Sequence, residues 1–193
     1  VADDSFARFV TLACHDLRTP LATVSGFAHT LLQNEIGQPA DRYVEMIQLA
    51  AGQLADILDD LGVVARIEAG RYVPNVSGAD ALEVAQAAAG RVGEKAVVGG
   101  TGAEVLVDRD ATERGLAALA RCALRHGGLE EVELTAEGAA VAISPVLENV
   151  VPIIIGDDLR DLGAAAARRL VEATGGSLDL DGERLLVRLP TSG

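Results

Sequence analysis

His15 and Asp16 stand side by side in the run Phe9-Val10-Thr11-Leu12-Ala13-Cys14-His15-Asp16-Leu17-Arg18-Thr19-Pro20-Leu21, and Thr19-Pro20 follows one helical turn later. An imidazole that is largely neutral at pH 7 carries a lone pair able to attack phosphorus. A carboxylate that accepts its Nδ1 hydrogen leaves Nε2 as the nucleophile and stabilises the positive charge that develops during attack. These residue types at these offsets predict that His15 is a phospho-acceptor and Asp16 its orienter. Thr19, four residues on from His15, shares the same helical face. Pro20 has no amide hydrogen, so the carbonyl of Asp16 loses its helical partner and a break or bend is expected just beyond the nucleophile. His29 lies in no such arrangement and reads as a solvated side chain.

The elements that must carry this site follow from apolar periodicity. Phe6, Val10, Ala13, Leu17, Pro20, Val24, Phe27 and Leu31 alternate steps of four and three, the seam of a helix packed in a bundle. His15 falls opposite that seam, so its imidazole is expected in solvent, within reach of a partner. A second helix is predicted from about Asp41 to Ala69, with Tyr43, Ile47, Ala50, Leu54, Ile57, Leu61 and Val64 on one seam and Ala51, Leu58 and Ala65 beside it. The polar connection from Gln33 to Ala40 is short, which makes the pair an antiparallel hairpin. So wide an apolar stripe exceeds what two helices cover, and a homodimeric four-helix bundle is expected. Gly70 is the predicted stop of the second helix.

Beyond Gly70 the texture changes. Val-rich segments (Ala96 to Val98, Glu104 to Val107, Val132 to Leu134, Ala140 to Ile143, Ser177 to Leu180, Leu185 to Leu189) alternate with alanine-rich helical stretches (Ala79 to Val92, Ala111 to Arg125, Asp161 to Ala173). A mixed α/β domain is the natural reading. The fold class expected is therefore α+β: residues 1–71 a helical hairpin for dimerisation and phosphotransfer, residues 72–193 a small α/β sandwich.

The run around His15 resembles the H-box of sensor histidine kinases, H-[DE]-x-x-[TN]-P, whose histidine accepts a phosphoryl group and passes it to an aspartate of a response-regulator receiver domain. Ala65-Arg66-Ile67-Glu68-Ala69-Gly70 resembles the closing run of the family's hairpin, and Val107-Asp108-Arg109-Asp110 leading into a helix looks like part of the ATP-binding sandwich that follows it. The resemblance implies a receiver domain as partner, a homodimer, and for Thr19 a role in positioning water for dephosphorylation of the receiver. His15, Asp16 and Thr19 are the catalytic residues it marks.

The nucleotide site of that family is not matched. Its N-L-L-x-N-A-L-x-H helix aligns with Ala118-Leu119-Ala120-Arg121-Cys122-Ala123-Leu124-Arg125-His126, placing Cys122 where the magnesium-ligating asparagine belongs and Ala118 at the other asparagine. A thiol suits a hard cation poorly. Where D-x-G-x-G should read adenine, the chain has Ser144-Pro145-Val146-Leu147-Glu148-Asn149, and only Asp161-Leu162-Gly163 remains of the phosphate-covering turn. Asp157-Asp158 reads as a helix N-cap. The chain is therefore expected to bind neither ATP nor a metal of its own, with no cofactor, Mg²⁺ being held by the receiver.

Composition narrows the classes further. The 193 residues are 49% hydrophobic but only 3% aromatic, so any core is aliphatic, and 16 basic against 29 acidic residues give a net charge of −13. That charge repels nucleic acid and anionic membranes. No apolar run reaches the ~18 residues that span a bilayer, and Cys14 and Cys122 fit no disulfide or zinc spacing, so a cytoplasmic protein with reduced thiols is expected. The function expected is two-component phosphotransfer between His15 and receiver aspartates without ATP-dependent autophosphorylation, as in pseudokinase-type histidine phosphotransferases. The rivals are a sensor histidine kinase with a divergent ATP site and a non-catalytic dimeric scaffold.

Overall fold

The structure, a computed structural model, describes residues 4–33 and 40–191 and divides into two compact units, 1–62 and 63–193. The first is a helical hairpin of α1 (Asp4–Gln33) and α2 (Ala40–Glu68), the latter running on into the second unit. The seam residues of both helices are buried or half-buried, as the periodicity predicts. Phe27 and Tyr43, near the connected ends, stack with ring centroids 5.4 Å apart and planes at 24°. The connection itself, residues 34–39, lies outside the described residues.

Two details of α1 differ from the sequence expectation. Phe9 is fully buried although it flanks the seam. Pro20 does not break the helix: it is buried inside α1, which continues to Gln33. A proline removes one backbone hydrogen bond, while the seam on either side keeps burying apolar surface. The stop at the end of α2 is as expected. Gly70 adopts a φ of 63°, the amide of Arg71 donates to the carbonyl of Arg66 at 2.8 Å, and the amide of Gly70 to that of Ile67 at 2.9 Å. This double closure needs a left-handed residue, which glycine supplies without strain.

The second unit contains β1 (Val76–Asp80), α3 (Ala81–Val92), β2 (Ala96–Gly102), β3 (Glu104–Asp108), α4 (Arg109–Gly127), β4 (Val132–Gly138), β5 (Ala140–Ser144), α5 (Val151–Ile155), α6 (Leu162–Ala173), β6 (Ser177–Asp181) and β7 (Arg184–Arg188). A mixed five-stranded sheet runs in the order β2-β4-β5-β7-β6, with β2 and β4 parallel and the other pairs antiparallel. Along β4, Val132, Leu134 and Ala136 are buried while Glu133 and Glu137 are exposed, the alternation of a sheet packed on one face. α3, α4 and α6 supply the other side of one aliphatic core that includes Val84, Leu116, Leu119, Leu134, Ile143 and Val187.

Three aspartates start α3, α4 and α6. Asp80 caps α3, accepting from the amides of Leu82 and Glu83; Asp108 caps α4, accepting from Ala111; and Asp161 caps α6, accepting from Ala164 at 3.0 Å. The third corrects the sequence reading, which placed a cap at Asp157-Asp158. Those residues lie in the turn after α5, before the chain extends to Asp161.

Candidate phosphotransfer site

His15 projects from α1 with its side chain 76% exposed, against 32% for Asp16. The imidazole Nδ1 and the Asp16 Oδ1 are 3.1 Å apart. A carboxylate accepts, so the contact suits the tautomer in which Nδ1 donates and Nε2, turned away from the contact, carries the lone pair. Thr19 is exposed one turn further on, and its backbone carbonyl accepts from the Thr23 hydroxyl at 3.1 Å. The helix thus places an exposed imidazole, a carboxylate and a hydroxyl along one stretch of surface. Ala13 and Pro20 are buried around them and anchor this segment of α1. His29 is exposed, in line with its reading as a surface side chain.

The region that resembles a nucleotide site has the opposite character. On α4, Cys122 is fully buried, and Ala118 packs half-buried against the core. Burial, reinforced by the nearby Asp161 carboxylate and opposed by Arg125, pushes the Cys122 thiol up to about 12. After β5 the chain makes one short turn, with Glu148 and Asn149 exposed, between residues that pack inward. It passes through a cis Ser144-Pro145 bond, and Val146, Val150, Ile153 and Ile154 are all buried in the core. A protonated thiol, a methyl group and a row of aliphatic side chains do not fit magnesium and a polyphosphate, which need oxygen ligands and hydrogen-bond donors.

Asp161 also departs from the reading that left it as an acid beside a residual glycine turn. It is 6% exposed, its two carboxylate oxygens are shared between the α6 cap and side chains of α4, and Leu162 and Gly163 form the first turn of α6. Asp161 Oδ2 lies 3.0 Å from His126 Nε2 and 3.3 Å from Arg125 Nη1. Asn149 donates to the carbonyl of His126 at 2.8 Å, tying the segment after β5 to the end of α4. The sequence reading missed this cluster. Its local sign, Cys122 and His126 four apart on one helix, was visible; Asp161 was not linked to it.

A helical hairpin that exposes a histidine beside an acid, followed by an α/β sandwich, defines the class. Residues 7–70 match the His Kinase A (phospho-acceptor) domain, so the hairpin is a HisKA domain, and the unit that follows has a histidine-kinase ATP-binding-like fold. The chain is 30% identical over 194 aligned positions to the histidine protein kinase DivJ of Caulobacter vibrioides, an alignment that takes in 90% of this chain and 32% of DivJ. It therefore spans about a third of that relative's length. Among solved structures, the histidine kinase AdeS of Acinetobacter baumannii superposes with a TM-score of 0.69 at 18% identity, covering 93% of this chain and 98% of that one. A bacterial phosphotransferase superposes with a TM-score of 0.50 at 16% identity, covering 97% and 96%. At such identities these two likenesses show the fold. The chain is thus similar across both units to histidine-kinase-like proteins of two-component signalling, and no helix among the described residues is long and apolar enough to cross a membrane.

Proposed function

We propose that the chain is a histidine phosphotransfer protein: His15 takes a phosphoryl group from the aspartyl phosphate of one receiver domain and gives it to the aspartate of another. The observation that carries this is the solvent-facing His15 with Asp16 on its Nδ1 at 3.1 Å. In the forward step Nε2 attacks phosphorus, the bond from phosphorus to the aspartyl oxygen breaks and the carboxylate leaves, while Asp16 holds the Nδ1 hydrogen and offsets the charge left on the ring. In the reverse step the second aspartate attacks and the P–N bond breaks. Mg²⁺ is held by the receiver. Thr19 positions water for dephosphorylation of a docked receiver.

The absence of autophosphorylation is part of the same proposal. It is supported by the buried thiol at 122 and by the inward packing of Val146, Val150, Ile153 and Ile154 in the stretch where the family reads adenine. Self-association through the hairpin is also proposed, because Leu21, Val44, Leu49 and Leu58 are exposed on it, an apolar surface a second copy would cover.

The test offers the chain a ³²P-labelled phospho-receiver and, separately, γ-labelled Mg-ATP, and scores acid-labile label. Label from the receiver alone, lost in His15→Gln, is the expected result. Label from Mg-ATP on His15 would instead make the chain an autokinase with a divergent site, and no label from either source would leave a receiver-binding scaffold.

A further inference from the structure

α4 and α6 bring three metal-ligating side chains together away from His15. Cys122 and His126 are one turn apart on α4 and share a face. Asp161 reaches them from the cap of α6, and one ligand atom from each of the three lies within 4.8 Å of the others. Tetrahedral coordination at ordinary metal–sulfur, metal–nitrogen and metal–oxygen distances puts such atoms roughly 3.4–3.6 Å apart, so small side-chain rotations close the set. His126 and Asp161 are already in contact at 3.0 Å.

We infer that Cys122, His126 and Asp161 form a binding site for a borderline-soft divalent ion of the zinc type, three protein ligands with the fourth position left to water. The donor set selects the ion: thiolate and imidazole favour Zn²⁺ or Co²⁺ over Mg²⁺ and Ca²⁺, and a thiolate, a carboxylate and a divalent ion sum to zero charge, which a buried place requires. Cys122 and Asp161 are buried, while the His126 side chain keeps 20% of its surface, which marks the way in. On loading, the thiol proton leaves to solvent and the hydrogen on Nε2 moves to Nδ1, as bonds from the metal to sulfur, nitrogen and oxygen form. Asp161 keeps Oδ1 on the Ala164 amide, so the α6 cap survives. The exposed Arg125 guanidinium gives up Oδ2.

A Cys-His-Asp set also suggests a nucleophilic cysteine. The geometry opposes that use, since no substrate reaches a fully buried sulfur. The site works as a clamp instead: a metal here ties α4 to α6 in a unit whose core is built of small aliphatic residues.

The test uses the full chain with Cys14→Ala and His15→Gln, which removes the exposed thiol and imidazole of α1 as competing ligands. Titration of the chelator-treated protein with Co²⁺ is expected to give a saturable sulfur-to-cobalt charge-transfer band and the visible bands of tetrahedral coordination, with one equivalent per chain, displaced by Zn²⁺. Zn²⁺ should also raise the melting temperature. Cys122→Ser should abolish the charge-transfer band, and His126→Gln and Asp161→Asn should each weaken Co²⁺ binding by an order of magnitude or more. His126, being partly exposed, decides the matter if Cys122→Ser fails to fold. No saturable band in the Cys14- and His15-substituted chain, a band that persists in Cys122→Ser, or undiminished binding in His126→Gln overturns the inference.

Discussion

Two histidine–aspartate pairs in this protein have nearly the same contact distance, 3.1 Å for His15 with Asp16 and 3.0 Å for His126 with Asp161. They differ in where they sit. The first is formed by neighbours on one exposed helix, with side chains 76% and 32% exposed; the second joins two helices, at 20% and 6%. In water a carboxylate can tune a reactive imidazole while the site stays open to a partner. Inside a core the same contact satisfies a buried charge and fixes α4 against α6. Burial rather than residue type separates the two pairs, and it suits the first to the proposed phosphotransfer and the second to holding helices together.

Substituting each pair in turn tests that contrast. The largest effect expected is that of His15→Gln, which should reduce label accepted from a phospho-receiver by on the order of 1,000-fold or more, since it removes the nucleophile. Its melting curve should stay within about 0.5 kcal/mol of the parent, as for an exposed substitution. A marked loss of stability would mean that His15 also holds the fold.

Asp16→Asn should slow transfer by roughly 10- to 100-fold, the range typical for loss of a group that orients a histidine. Rapid-quench rates of phosphoryl uptake measure it. A rate equal to the parent's would show that the 3.1 Å contact has no part in reactivity.

The buried pair should respond in the other currency. With no metal added, His126→Gln should lower unfolding free energy by about 1–2 kcal/mol, because Asp161 loses a charge-assisted partner while staying buried. Urea melts of the chelator-treated chain give the value, and no change would mean that Arg125 and the α6 cap already satisfy the carboxylate.

The smallest effect on transfer is expected from Thr19→Ala, which should leave the rate within about twofold because the hydroxyl does not touch the reacting nitrogen. Dephosphorylation of the receiver, followed by phosphate release, should fall by at least about tenfold. Equal losses in both assays would place Thr19 in receiver docking rather than in holding water.

Much of this arrangement is local and could be read along the chain. The alternation of apolar residues from Phe6 to Val64 determined two long helices and which of their faces turn inward, because helix periodicity is set within a few residues. The same periodicity put His15 opposite the seam, and the adjacent Asp16 needed no tertiary contact to reach it. Gly70 as a helix stop was legible for the same reason: its left-handed φ serves backbone groups within one turn.

What escaped the sequence depends on partners far along the chain. β1, Val76-Ser77-Gly78-Ala79-Asp80, has little strand propensity of its own and is held by antiparallel pairing with β3, as in Ala79 opposite Val105. α5 is too short to persist alone and exists because Ile153 and Ile154 enter the core. Asp157-Asp158 resembled a cap, yet the cap of α6 is Asp161, where the sequence already placed the start of that helical stretch. His126 and Asp161 are separated by 35 residues, and only the docking of α6 on α4 makes them neighbours. Sequence alone determined the exposed His15–Asp16 pair, whose contact is one residue long. Tertiary structure decided the buried cluster, because burial and long-range contact belong to the folded chain and to no segment of it.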